Sequence, residues 1–189
     1  MKNLLKALAV IVLISAVSGP VAAEGVDKKY YTAAGELAKD FCLAKPYSEE
    51  GLLGALVAGD LFNEVFNMSE QDKQNLAPED LNRLGKEKEA ERKADLNGAK
   101  YESCKNLGIN VFDCYALYVK LAKAIAPKGA TQKEKDMIMY DLTQTAEIFG
   151  ATGYCGRLEM TYEIDGEKSS PEVMIYYLDG QWEYLLVRE

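Results

Sequence analysis

Two stretches decide the fold class: residues 155–166, CGRLEMTYEIDG, and residues 173–187, VMIYYLDGQWEYLLV. In the first, Leu158, Met160, Tyr162 and Ile164 alternate with Arg157, Glu159, Thr161 and Glu163. That is the period of two expected of a strand with one buried face. Asp165-Gly166 and Asp179-Gly180 supply the φ > 0 residues that tight hairpin turns require. A two-residue turn at Asp179-Gly180 sets Leu178 opposite Gln181, Tyr177 opposite Trp182, Ile175 opposite Tyr184 and Val173 opposite Leu186. The last three pairs then share one apolar face. Met174, Tyr176, Leu185 and Val187 make the other face partly apolar, so it too can receive a helix.

Upstream the period changes to three and four. Tyr30, Ala34, Leu37, Ala38, Phe41 and Cys42 mark a helix over 29–44, ended by Pro46. A second helix is expected from a Ser48 cap to about Phe66, with Gly51, Gly54 and Gly59 near one flank, where another helix or a ligand could approach. Ser69 with Asp72, and Pro78-Glu79-Asp80, mark two more helix starts. Lys86 to Lys93 has mixed charge and little to bury, so it reads as a solvated helix or, functionally, a partner-binding arm. Asn97-Gly98 should break it. A helix is expected from Asn110 to about Ala126, with Val111, Cys114, Tyr115, Tyr118, Leu121, Ala122 and Ile125 on its core side. Another follows the Thr131-x-x-Glu134 capping box and stops at Gly150, with Met137 and Met139 filling core gaps. The predicted class is therefore α+β, a helix-rich N-terminal two-thirds packed on a C-terminal three-stranded antiparallel β-meander.

The chain opens with Lys2 and Lys6, an apolar run from Ala7 to Val17, and Val21-Ala22-Ala23 before Glu24. This order reads as a secretory signal peptide over residues 1–23, cleaved near Ala23, followed by a single domain over 24–189. The expected location is periplasmic or secreted, with no stable membrane anchor after cleavage. Cys42, Cys104, Cys114 and Cys155 are an even set in an exported chain and are read as two disulfides. Of the three connectivities, Cys104 with Cys114 and Cys42 with Cys155 is preferred, because a turn is expected at Leu107-Gly108-Ile109-Asn110.

The stretch Tyr176-Tyr177-Leu178-Asp179-Gly180-Gln181-Trp182-Glu183-Tyr184 resembles the last hairpin of exported proteins with a cystatin-like or NTF2-like fold. The resemblance implies a curved antiparallel sheet wrapped on a few helices, with a cavity or plain core between them. It carries over no catalytic residue.

With 22 Lys plus Arg against 30 Asp plus Glu, and no His, the formal charge is −8. The missing His removes imidazole triads, imidazole metal sites and imidazole switches, and the acidity argues against nucleic acid. There is no Gly-x-Ser-x-Gly, Ser-x-x-Lys, phosphate loop or calcium loop. The chain thus reads as a non-enzymatic binding or accessory protein with no cofactor and no metal, engaging a basic protein as an inhibitor or immunity-like partner would. Two other classes stay open. One is a carrier of a small apolar ligand, with Tyr162, Ile175, Tyr177, Trp182 and Tyr184 as pocket or core. The other is a carboxylate-based hydrolase acting on cell-envelope material.

Overall fold

A computed structural model describes residues 26–44 and 51–188. The leader and Ser48 lie outside the described residues. Among the described residues, six helices and five strands follow in order: α1 Lys28–Leu43, α2 Leu52–Phe66, α3 Glu70–Gln74, α4 Pro78–Asp95, β1 Tyr101–Asp113, α5 Cys114–Ile125, α6 Gln132–Ile148, β2 Tyr154–Ile164, β3 Glu167–Ser169, β4 Glu172–Leu178 and β5 Gln181–Arg188. The α+β class holds, but the sheet is larger than the expected meander. Its strands run in the order β1-β2-β4-β5, all antiparallel, with the short β3 also on β2. β3 and β4 continue one line along β2 and are separated at Ser170-Pro171, where the Met160 N–H donates to the Pro171 carbonyl at 3.1 Å.

Of the two additional strands, β1 and the short β3, β1 replaces two expectations. Asn110 to Phe112 belong to the strand, so α5 begins only at Cys114, capped by Asp113, whose carboxylate accepts from the Tyr115 N–H at 2.9 Å. The expected turn at Leu107 to Asn110 is a bulge inside the strand. Register slips between Tyr101 and Ser103 and between Asn106 and Gly108, leaving Leu107 without a cross-strand partner and 56 % exposed.

This extended strand also corrects the disulfides. Cys104 and Cys114 stand ten residues apart along it, about 30 Å at the usual strand rise, far beyond bonding reach. The observed bonds are Cys42–Cys104, tying α1 to β1, and Cys114–Cys155, tying the start of α5 to β2.

The final hairpin keeps the expected pairs Leu178–Gln181, Tyr177–Trp182 and Ile175–Tyr184. Beyond them a bulge at Leu185 shifts the register, so Met174 faces Leu186 and Val173 faces Val187. The extra residue sends Val187 to the same side as Val173 while Leu185 is buried on the other side. Asp165 and Asp179 adopt φ of 53° and 49°, as the two tight turns demand.

Both sheet faces are covered. On the first, Val111, Leu158, Met160, Val173 and Ile175 meet Ala34, Ala38 and Phe41 of α1 and Leu52, Leu53 and Ala55 of α2. On the second, Phe112, Cys155, Met174, Tyr176 and Leu185 meet Leu117, Tyr118 and Leu121 of α5, Leu142 and Ala146 of α6, and Phe62 of α2. Helix α2 therefore serves both cores and runs along the outer strand β5. At Gly59 a Cβ would lie 3.1 Å from the Val187 backbone nitrogen, so the missing side chain admits a strand backbone. The three glycines do not act as one flank: Gly51 is the N-cap of α2, Gly59 meets β5, and Gly54 faces α4.

Elsewhere the local signals match the elements. Ser69 caps α3 through the Asp72 N–H, Thr131 and Glu134 form a complete capping box, and Gly150 ends α6 with φ of 72°. At α4, Pro78 takes the first position, and Asp80 reaches back to the Ala77 N–H at 3.4 Å. Three side chains assigned to the core by helical spacing are instead exposed, Tyr115 at 64 %, Ile125 at 40 % and Met137 at 57 %. Tyr115 and Ile125 lie at the two ends of α5, and Met137 lies on the side of α6 opposite the buried Leu142 and Ala146.

Two tests follow from the packing. A Cβ on Gly156 would sit 2.8 Å from Cγ1 of the fully buried Ile175, so Gly156→Ala should lose about 1–3 kcal/mol in urea unfolding by overpacking. Tyr118 donates to the Ala151 carbonyl at 2.6 Å, and burial raises its pKa above the ordinary value. Burial, with help from Glu183, pushes Tyr176 from 10.0 up to about 12. Both groups are held neutral in the fold, so the stability they link is fully present below pH about 10 and is lost as pH rises toward 12. Phenolate absorbance should show these two tyrosines ionising together with alkaline unfolding, and Tyr176→Phe should remove one of them.

Candidate functional site

The five aromatic and aliphatic residues singled out in the sequence come together on the first sheet face. Ile175, Trp182 and Tyr162 are buried, and Tyr177 and Tyr184 are half-buried in the same cluster. Tyr30 of α1 fills the space above them. Its ring centroid lies 4.3 Å from Tyr154, 4.9 Å from Tyr177 and 6.4 Å from Trp182, and the Trp182 indole N–H donates to the Tyr30 carbonyl at 3.1 Å. Phe41 meets Tyr184 edge to face at 6.1 Å. This arrangement fastens α1 to the sheet by aromatic packing. Tyr154, the first residue of β2, is the member that the sequence alternation does not mark, because the clear alternation begins after it.

The polar half of the second face holds a charge network. Arg157 bridges Glu159 at 2.8 Å and Glu172 at 3.1 Å, two carboxylates that are direct cross-strand partners. Lys168 pairs with Glu163 at 3.7 Å. An arginine fixed between the two acids makes them a mutually compensated surface cluster. Among the described residues, no group of three or more Asp, Glu, His or Cys is placed to hold a metal ion.

A more open feature lies between α2 and α4. Helix α4 has no fully buried residue and is held on α2 by ion pairs. Arg92 donates from Nε and Nη2 to both oxygens of Asp60, at 2.5 and 2.7 Å, and Lys88 reaches Glu64 at 3.3 Å. Hydrogen bonding to Asp60 raises the Arg92 pKa, and burial only partly opposes it. Burial works against the charge on Lys88, yet Glu64 and Glu91 together hold its pKa above the ordinary value. Beside these pairs the helices part into a groove of ≈ 380 Å³. Leu53, Gly54, Val57 and Leu61 of α2 and Leu81 and Gly85 of α4 form its apolar lining, with Asn82, Lys86 and Glu89 as polar lining.

Surrounding charge is predominantly acidic. Residues 60–95 carry ten Asp or Glu against six Lys or Arg. The Lys86 to Lys93 segment thus forms one wall of a groove, and its charges are partly committed to α2. Sequence spacing identified the Leu and Gly residues of α2 but not which of them would face α4, since both sides of that helix are apolar.

Comparison with protein-family models, curated proteins and solved structures gives no match to this chain. The resemblance of the last hairpin therefore stays confined to the Asp179-Gly180 turn and its strands.

The Asp60–Arg92 contact can be measured. Arg92→Ala should cost about 1–2 kcal/mol by leaving a part-buried carboxylate unpaired. The double variant with Asp60→Asn should recover part of that loss, and amide exchange should quicken in α4 before the sheet.

Proposed function

We propose that the protein is an exported, non-catalytic binding module that takes a basic, amphipathic segment of a partner protein into the α2–α4 groove. The supporting observation is an open groove with an apolar lining, set in the stretch 60–95, where acids outnumber bases ten to six. Apolar anchors at helical spacing could occupy the strip along Val57, Leu61 and Leu81, while Lys or Arg on the same segment meet the surrounding carboxylates. Complementary charge speeds such an encounter and makes it salt-sensitive. An inhibitor or immunity-like role is the form this reading takes when the partner is an enzyme or toxin.

The two disulfides point to an oxidising environment outside the cytoplasm, and among the described residues no helix is long and apolar enough to cross a membrane. The leader-like opening supports release into the periplasm or the medium after cleavage near Ala23.

Native mass spectrometry of the protein from its host's envelope should retain a basic protein. Gly85→Leu, which places a side chain in the groove where a Cβ has only the Leu61 Cδ2 at 3.8 Å, should weaken that complex about tenfold or more without loss of stability, because leucine is the better helix former. Glu89→Lys should slow association at low salt, whereas Glu147→Lys on the exposed side of α6 should not. A complex indifferent to Gly85→Leu and to salt would refute this reading.

A further inference from the structure

Among the described residues, the acidic balance reverses most clearly over one stretch. Between Asp113 and Glu134 there are four lysines and no acid: Lys120, Lys123, Lys128 and Lys133. All four are exposed. Lys120 and Lys123 lie on the solvent side of α5, away from its buried stripe of Leu117, Tyr118 and Leu121, while Lys128 and Lys133 lie in the turn and at the start of α6. Helix α6 itself carries four acids, Glu134, Asp136, Asp141 and Glu147, against Lys133 and Lys135, so the positive excess belongs to α5, the turn and the first residues of α6. Glu134 accepts from the Thr131 N–H and hydroxyl, which lowers its pKa, and Asp136 accepts from the Gln132 amide at 2.8 Å.

A second observation concerns apolar groups. Four of the six large hydrophobic side chains exposed among the described residues belong to these two helices: Tyr115, Ile125, Met137 and Tyr140. In α6, Lys133, Met137 and Tyr140 follow one another at helical spacing on the side opposite the buried Leu142 and Ala146.

We propose that the outer surface of α5 and the α5–α6 turn, with the adjoining start of α6, docks peripherally on an anionic lipid bilayer. Lysines at headgroup level gain from the negative surface potential, and Ile125, Met137 and Tyr140 enter the interfacial layer. The apolar contribution selects a bilayer over a soluble polyanion, which would reward the lysines and leave Met137 without a partner. This surface is separate from the α2–α4 groove, so either assignment can fail without the other.

The test uses the protein as its host exports it, with removal of residues 1–23 checked by mass, co-sedimented with vesicles. Binding is expected to phosphatidylglycerol-containing vesicles and not to phosphatidylcholine alone. Each lysine should contribute roughly fivefold, so the Lys123→Glu, Lys128→Glu double variant should fall well over tenfold. Met137→Ser should weaken binding severalfold while leaving its salt dependence unchanged. Lys105→Glu with Lys168→Glu, on the sheet, should leave it within about twofold. Absence of binding to the anionic vesicles, or binding that survives the double reversal, overturns the proposal. Equal binding to an anionic polysaccharide, indifferent to Met137→Ser, also overturns it and assigns the surface to a soluble polyanion.

Discussion

The close approach of α2 to the outer strand β5 is the contact on which the other layers depend. Gly59 lets helix and strand backbones meet, and from that line α2 sends Leu52, Leu53 and Ala55 into one core and Phe62 into the other. One helix thereby covers an edge that would otherwise be open to a foreign strand and couples two apolar layers lying on opposite sides of the sheet. A helix apolar on nearly every side needs further cover, and α4 supplies it. Because α4 carries so little apolar surface, its attachment relies on Asp60–Arg92 and Glu64–Lys88, and the helices do not close along their whole length. The groove follows from this mismatch between an apolar helix and a charged one.

The other edge of the sheet is managed differently. β1 carries two bulges, with Glu102 and Lys105 exposed along it, features that discourage pairing with another chain. The same irregularity hid β1 from a reading of the sequence. Cys104 and Asn106 face one way, but after Leu107 the phase flips, so Ile109 and Val111 share their side. A period-two pattern broken in the middle looks like a turn followed by a helix. The final hairpin was legible through Tyr184 because its turn chemistry sets the register, and illegible beyond it because the bulge at Leu185 has no signature in residue type. Helix starts were legible where a side chain caps them, as at Ser69 and Thr131. The groove was not, since spacing shows that α2 is apolar without showing which part α4 leaves uncovered.

The mean charge conceals an uneven distribution. Acids gather on α2, α3, α4 and α6 and around the polar part of the sheet, whereas α5 contains none. A molecule with this separation meets charged partners in preferred orientations even when its net charge would repel them. Aromatic packing by Tyr30, Tyr154, Tyr177 and Trp182 lies in a different part of the fold, so surface charge can vary without disturbing the fastening of α1.

The two disulfides join consecutive cysteines, first to second and third to fourth, rather than enclosing one loop within another. A chain oxidised progressively from its N-terminal end meets each cysteine's correct partner as the next one to appear. Native pairing can therefore arise in order of synthesis, with no obligatory exchange between bonds, and the α1–β1 half can be secured before β2 has emerged.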